Sequence, residues 1–175
     1  MWSTRTADGL VVRAPAKVNL FLEVLGKRPD GYHDLATLMV AVSLYDTLEF
    51  KEDRSTAFAL DLAPQAEAVP GEDRPPLSTG PENLIGRAAE LLRLRSGHES
   101  GARVRLHKRI PLAAGLAGGS TDAAATLSGL NRLWRLGLTR QRLAELGAEL
   151  GSDVPFFFSA PAAWCTGPRI PPRRT

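Results

Sequence analysis

Segment 111–121 has the composition of a loop that binds phosphate. It consists of Pro111, Leu112, Ala113, Ala114, Gly115, Leu116, Ala117, Gly118, Gly119, Ser120 and Thr121. Small side chains let the backbone come close to a ligand, and glycine adopts positive φ without strain. A helix that begins here would present free N–H groups and the positive end of its dipole to an anion. The segment therefore predicts a phosphate site, to which Ser120 and Thr121 add hydroxyl donors or a magnesium ligand.

The same segment excludes two familiar nucleotide motifs. No lysine follows its last glycine, so it is not a Walker A loop, and its glycines lack the dinucleotide-binding spacing. A tight strand–helix connection of small residues, without any ligand, is the alternative that the composition leaves open.

Lys17 and Asp153 are candidates for the charged groups that phosphoryl transfer needs. A carboxylate can take the proton of an acceptor hydroxyl, and a cation can offset charge on the phosphoryl group. Lys17 lies in an apolar stretch, so its ammonium must extend to water, lie at an edge or pair with an acid. Pairing with Asp153 would favour the ionised carboxylate. Stabilisation of a turn is the alternative role of Asp153.

Strands are predicted on both sides of a proline-rich loop. Apolar runs indicate strands at 18–25, 35–42, 44–51, 58–62 and 104–107, with a turn at Asp30 and Gly31. Residues 64–81 contain five prolines and two glycines and are predicted to form a loop.

Helices are predicted in the second half of the chain. Apolar residues at helical spacing indicate one helix from Glu82 to Gly97, a second directly after segment 111–121, and a third up to Gly151. The N-cap candidates are Ser120, Thr121 and Asp122 for the second helix and Thr139 for the third. Strands followed by helices indicate an α+β fold rather than a Rossmann alternation.

Composition excludes several classes of function. The 175 residues suffice for one domain with its own core, and the net charge of +3 disappears without the arginines of the last eight residues. Nucleic acid is therefore not an expected partner. Cys165 is the single cysteine, which fits a reducing, cytoplasmic compartment, and His33, His98 and His107 lack zinc-ligand spacing. We see no signal peptide and no membrane-spanning run, so no membrane partner is expected.

The pattern Pro-x-x-x-Gly-Leu-x-Gly-Gly-Ser at 111–120 resembles the GHMP kinases, which phosphorylate galactose, homoserine, mevalonate and phosphomevalonate. Two further segments narrow the resemblance to the 4-diphosphocytidyl-2-C-methyl-D-erythritol kinases in that superfamily. They are APAKVNL at 14–20, followed by RPDGYH at 28–33, and GSDVPF at 151–156. The resemblance extends from Ala14 to Gly167.

This resemblance implies a fold and a reaction. The fold is an α+β GHMP-kinase N-terminal, ATP-binding domain over residues 1–167, similar to ribosomal protein S5 domain 2. The reaction is transfer of the γ-phosphoryl of ATP, with Mg²⁺, to the 2-hydroxyl of 4-diphosphocytidyl-2-C-methyl-D-erythritol in the non-mevalonate isoprenoid pathway. Another GHMP small-molecule kinase and an inactive nucleotide-binding fragment are the alternatives.

The resemblance also implies roles for individual residues. Asp153 matches the catalytic base and Lys17 the lysine paired with it. Besides segment 111–121, Asn83 and Lys108 match positions near the nucleotide. The matches for the substrate are Tyr32 and His33 on the cytosine and Asn19 on the erythritol part. A surface turn is the alternative role of Tyr32 and His33.

The family pattern stops after Gly167. Residues 168–175 are rich in proline and arginine, so we expect no strand or helix there but a disordered tail. GHMP kinases continue with a C-terminal domain that this sequence does not contain. The sequence therefore predicts a frameshift or premature stop, and weak or no turnover because the clefts would be open to water on one side.

Overall fold

The computed structural model describes residues 1–27, 29, 33–53, 55–64 and 77–169, the last three of these by their backbone only. These residues form six strands and four helices. The strands are β1 (Trp2–Thr6), β2 (Gly9–Lys27), β3 (His33–Asp53), β4 (Phe58–Leu62), β5 (Gly101–His107) and β6 (Ala162–Arg169). The helices are α1 (Leu84–Ser96), α2 (Gly118–Leu133), α3 (Arg140–Leu150) and α4 (Phe156–Ser159). None of these helices is long and apolar enough to cross a membrane.

The strands form one sheet in the order β1-β2-β3-β5-β4. Strands β2 and β3 are its long centre, and they pair antiparallel with register shifts that include one between Pro15 and Lys17. The second half of β3 pairs with β5, and its first half pairs with β6. Strand β4 runs parallel to β5.

The core lies between this sheet and helices α1, α2 and α3. Its largest fully buried side chains include Phe50 and Leu48 of β3 and Leu127 and Leu130 of α2. A Cβ on Gly129 would lie 2.6 Å from the Phe50 ring, so glycine allows α2 to pack directly on the sheet. The predicted α+β class is confirmed, because the helices pack as a layer on a mainly antiparallel sheet.

The predicted ends of α1 and α3 and the predicted strand at 58–62 are confirmed. Other bounds need correction, because β2 is longer than the predicted 18–25, β5 begins at Gly101 rather than at 104, and α1 begins at Leu84 rather than at Glu82. Asn83 caps α1 and Gly97 ends it at a φ of 68°, and Thr139 caps α3, which ends at Gly151. The strands predicted at 35–42 and 44–51 are one continuous strand, β3. The predicted side-chain cap of α2 is wrong. Helix α2 begins at Gly118 after Ala117, and the candidates Ser120, Thr121 and Asp122 lie inside it.

The prediction for the end of the chain also needs correction. Pro168 and Arg169 pair with Asp34 and His33 of β3, so β6 continues two residues beyond Gly167. Among the described residues, β6 pairs with β3 alone and is therefore an edge strand. Proline is tolerated on an edge strand because its missing N–H does not interrupt the sheet. Residues 170–175, predicted as disordered, lie outside the described residues, as does the turn predicted at Asp30 and Gly31.

Candidate active site

Residues 111–117 form a loop between β5 and α2, and residues 118–121 form the first turn of α2. We call the whole segment 111–121 the glycine-rich loop. Positive φ occurs at Ala113 (56°), Gly115 (74°) and Ala117 (56°). Alanine in this region costs about 1–2 kcal/mol, so the surrounding structure must hold the loop in this shape. Residues 111–115 are exposed, and burial increases towards α2.

The N-terminus of α2 has no side-chain cap. A helix leaves the N–H groups of its first turn without intrahelical acceptors, and no side chain in the described part of the chain caps them. Gly118 and Gly119 begin the helix, and a Cβ on Gly118 would lie 2.9 Å from Lys108 Nζ. Free amides at the positive end of a 16-residue helix make this terminus able to bind an anion.

The predicted contact between Lys17 and Asp153 is present. Lys17 Nζ lies 3.8 Å from Asp153 Oδ2, with side-chain exposures of 6% and 17%. Lys17 Nζ also donates to Asn19 Oδ1 at 3.4 Å, because residues two apart on a strand share a face. The backbone N–H of Lys17 donates to the Leu116 carbonyl at 3.1 Å. This hydrogen bond joins β2 to the glycine-rich loop, so the ion pair and the loop belong to one site.

Asp153 lies in the turn between α3 and α4, and the backbone closes that turn. The Val154 N–H donates to the Gly151 carbonyl, and the Phe157 N–H donates to the Val154 carbonyl. The Val154 side chain is fully buried, and a Cβ on Gly147 would lie 2.8 Å from its Cγ1. Backbone hydrogen bonds and the buried valine fix the turn, and the fixed turn places the Asp153 carboxylate beside Lys17.

A second group of charged side chains joins β3 to the start of α2, and we call it the Lys108 cluster. Lys108 Nζ donates to Asp46 Oδ2 and to Asp122 Oδ2, each at 2.6 Å. The side-chain exposures are 7% for Lys108, 0% for Asp46 and 4% for Asp122. Asp46 Oδ1 also accepts from the backbone N–H groups of Arg109 and Ile110, at 2.6 and 2.8 Å.

Burial and charge act in opposite directions in the Lys108 cluster. Burial by itself would lower the pKa of Lys108, but the Asp122 and Asp46 carboxylates outweigh it, and the pKa is raised. Burial raises the pKa of Asp122 to about 7, although the Lys108 ammonium acts against that shift. The cluster therefore contains more negative than positive charge unless one carboxyl carries a proton.

Comparison with protein families agrees with this arrangement. Residues 83–160, from the cap of α1 to the end of α4, match the GHMP kinases N terminal domain. The fold of the described residues is that of a GHMP kinase N-terminal domain. The glycine-rich loop, helix α2 and Asp153 all lie within the matched residues, whereas Lys17 and Asn19 lie before them.

The chain is also similar to individual GHMP kinases. It is 48% identical over 158 residues to the 4-diphosphocytidyl-2-C-methyl-D-erythritol kinase of Exiguobacterium sibiricum, covering 90% of this chain and 52% of that protein. The enzyme of the same name from Symbiobacterium thermophilum is 53% identical over 153 residues, covering 86% and 50%. The chain thus spans about half the length of the curated relatives it matches.

Solved structures have the same fold. A crystal structure of 4-(cytidine 5'-diphospho)-2C-methyl-D-erythritol kinase superposes with a TM-score of 0.71 at 38% identity, covering 90% of this chain and 52% of that one. The Methanococcus jannaschii mevalonate kinase gives a TM-score of 0.60 at 19% identity, covering 83% and 47%. The second likeness shows the GHMP fold alone.

Asn83, which the sequence also assigned to the nucleotide, makes hydrogen bonds within the domain. Asn83 Oδ1 accepts from the Ile85 N–H at 2.9 Å, and its Nδ2 donates to the Ser78 carbonyl at 2.6 Å. Its neighbour Leu84 has Cδ1 3.4 Å from where a Cβ on Gly119 would lie, so α1 begins beside the start of α2. A nucleotide role for Asn83 stays a prediction.

The residues that the sequence assigned to the cytosine lie at the other end of the β2–β3 hairpin. Tyr32 is outside the described residues. His33 is the first residue of β3, is half-buried and pairs with Lys27. Lys17 pairs with Ala41, so His33 is about 26 Å further along β3 at the usual rise per residue. The described contacts do not join His33 to the ion pair.

Magnesium fits this site only as a companion of nucleotide phosphates. The described residues contain no group of three or more His, Cys, Asp or Glu side chains that could hold a metal ion. Of the two predicted hydroxyl ligands, Ser120 is half-buried and Thr121 is fully buried. Mg²⁺ commonly takes few protein oxygens and completes its shell with phosphate and water. Of these two hydroxyls only that of Ser120 is accessible, and a magnesium role for it stays a prediction.

Sequence reasoning missed the structural role of Asp46 and Asp122. Asp46 interrupts the apolar run of β3, and an acid in a buried strand is a signal that could have been used. Asp122 was treated as a cap candidate because of its place after the loop. No sequence signal pairs either acid with Lys108, because the contacts join separate elements.

Proposed function

We propose that the site transfers the γ-phosphoryl group of ATP to the 2-hydroxyl of 4-diphosphocytidyl-2-C-methyl-D-erythritol. The observation that carries the proposal is the Lys17–Asp153 pair, which is bonded through the Lys17 backbone to the glycine-rich loop. A carboxylate beside a lysine, next to free helix amides, provides what phosphoryl transfer requires of a protein. The similar enzymes bearing that substrate's name support the choice of acceptor.

The division of labour follows from the geometry. The amides at the start of α2 and in the glycine-rich loop hold phosphate oxygens. Asp153, the more exposed member of the ion pair, takes the proton of the 2-hydroxyl as its oxygen bonds to the γ-phosphorus. The bond from that phosphorus to the bridging oxygen breaks, and ADP leaves. Lys17 places positive charge beside the reacting groups. Magnesium, when bound with the nucleotide, offsets phosphate charge.

The acceptor end of the proposal depends on the β2–β3 hairpin. Asn19 lies beside Lys17 and can bind a hydroxyl of the erythritol part. The resemblance assigns Tyr32 and His33 to stacking on and hydrogen bonding to the cytosine. Mevalonate and homoserine have no base to stack, so these two residues distinguish the proposed acceptor from those of other GHMP kinases.

A transfer assay tests the proposal. The 175-residue chain is incubated with γ-labelled ATP and, in turn, 4-diphosphocytidyl-2-C-methyl-D-erythritol, mevalonate and homoserine. We expect label only in the first acceptor, at the low rate predicted for a cleft open to water on one side, and loss of label with Asp153→Asn and Lys17→Met. Asp61→Asn and Lys51→Met make the same chemical changes at exposed positions and serve as controls. Full activity of Asp153→Asn would rule out the base, and label in mevalonate would rule out the acceptor.

Nucleotide binding without transfer is the second candidate function. It is favoured by the exposure of residues 111–115, because no described residue covers the outer side of the loop. Titration of ATP into the chain separates the two candidates. Binding together with transfer supports the kinase, and binding without transfer to any acceptor supports the second candidate.

A further inference from the structure

The Lys108 cluster connects both ends of the glycine-rich loop to one strand. Asp46 on β3 accepts from the N–H groups of Arg109 and Ile110, which precede the loop. Through Lys108 the same carboxylate reaches Asp122, in the helix that follows the loop. One buried aspartate thus fixes where the chain enters the loop and where it leaves.

The ammonium of Lys108 lies close to Gly118, the first residue of α2. A Cβ on Gly118 would be 2.9 Å from Nζ and 3.0 Å from Ile110 Cγ2. Only glycine allows the helix backbone to come this close to the cluster. Contact with Lys108 and Ile110 therefore fixes how closely the start of α2, with its free amides, packs on the sheet.

The charge of Lys108 is already compensated. Two carboxylate oxygens lie at 2.6 Å, and the side chain is almost inaccessible to solvent. Charge-assisted hydrogen bonds of this length are strong, so releasing the ammonium to a phosphate would leave two buried carboxylates without a cation. The geometry does not suit a lysine that binds phosphate through its ammonium.

We propose that Lys108, with Asp46 and Asp122, is a positioning residue that holds the glycine-rich loop in its phosphate-binding shape before a nucleotide arrives. This deepens the proposed function and rests on it. It also changes the role expected for Lys108, from nucleotide contact to support of the loop that makes the contact.

Amide hydrogen exchange on the ligand-free chain tests the positioning role. The informative amides are those of Arg109, Ile110, Thr121 and Lys17, whose hydrogen bonds fix the loop. We expect exchange at least tenfold faster in Lys108→Met and Asp122→Leu, and close to wild type in Asp122→Asn, which keeps an acceptor for Lys108. The Leu143 amide in α3 is the remote reference and should not change.

Several outcomes would overturn the positioning role. Unchanged exchange at the loop amides in Lys108→Met would do so, and so would equal acceleration at Leu143, which indicates general loosening. If Lys108→Met does not fold, the contrast between Asp122→Leu and Asp122→Asn carries the same test. Exchange needs no ligand, so this test stands even if the chain binds no ATP and the proposed function fails.

Calorimetric titration of ATP into wild type and Lys108→Met separates support of the loop from direct contact with the nucleotide. Weakened binding by Lys108→Met with unchanged loop exchange would make Lys108 a direct ligand and overturn the positioning role.

Discussion

Lys17 and Lys108 both have buried side chains close to the glycine-rich loop, and they differ in how closely their ammonium groups approach carboxylates. Lys17 Nζ is 3.8 Å from the carboxylate of the partly exposed Asp153. Lys108 is 2.6 Å from each of two carboxylates, both almost fully buried. A partly exposed carboxylate in a loose pair can exchange its partner for a substrate hydroxyl, whereas a closed cluster cannot. The comparison assigns chemistry to the first pair and support to the second.

The largest expected effect comes from the open pair. Asp153→Asn removes the proton acceptor and keeps the shape of the side chain. We expect the rate of transfer to fall about 10²–10⁴-fold, the usual contribution of a general base. The free energy of unfolding should change by less than about 1 kcal/mol, since backbone bonds and Val154 fix the turn. A single-turnover assay and urea unfolding measure the two quantities. A large loss of stability with little loss of rate would invert the comparison.

The closed cluster should respond in the opposite way. Lys108→Met leaves the Asp46 and Asp122 carboxylates buried without their cation. Breaking a buried ion pair by removing one partner costs about 3–5 kcal/mol, and we expect a loss of stability in that range. Urea unfolding checks it against Lys51→Met, an exposed lysine expected to change stability by less than about 0.5 kcal/mol. A loss below about 1 kcal/mol would show that the cluster does not support the loop.

The two glycines at the start of α2 offer a sharper test of the same idea. In Gly118→Ala the new methyl would meet Lys108 Nζ at 2.9 Å, so we expect a loss of about 1–2 kcal/mol from crowding. In Gly119→Ala its nearest contact is Leu84 Cδ1 at 3.4 Å, and stability should be unchanged or slightly higher. Thermal unfolding of both variants measures the difference. Equal stability of the two variants would mean that Lys108 does not limit how closely the start of α2 packs on the sheet.

A further test of the closed cluster is a pH dependence of stability. Burial raises the pKa of Asp122 to about 7 from its ordinary value of 3.8. A carboxyl that holds its proton more tightly when folded stabilises the fold most below pH 4. That contribution is lost as the pH rises through about 7. The free energy of unfolding of wild type minus that of Asp122→Asn should therefore fall between pH 4 and pH 7. A difference that stays flat or rises over this range would contradict the raised pKa.

Local sequence signals predicted local structure well. Thr139 begins a helix, and Gly97 and Gly151 end helices, because a cap needs only the hydrogen bonds of its own turn. The prediction for α2 was wrong because Ser120 and Thr121 were assigned to a cap that the structure does not use. The split of β3 into two strands was wrong because pairing with β2, β5 and β6 continues through it.

The sequence by itself determined the glycine-rich loop, the chemical types of the candidate groups and the α+β order of elements. Small residues, caps and apolar spacing act over a few neighbouring residues, and a pattern can record them. Only the tertiary structure decided that Lys17 meets Asp153 and that Lys108 meets Asp46 and Asp122. Those contacts depend on strand register and on how α2 packs over the sheet, which are set by burial across the whole domain.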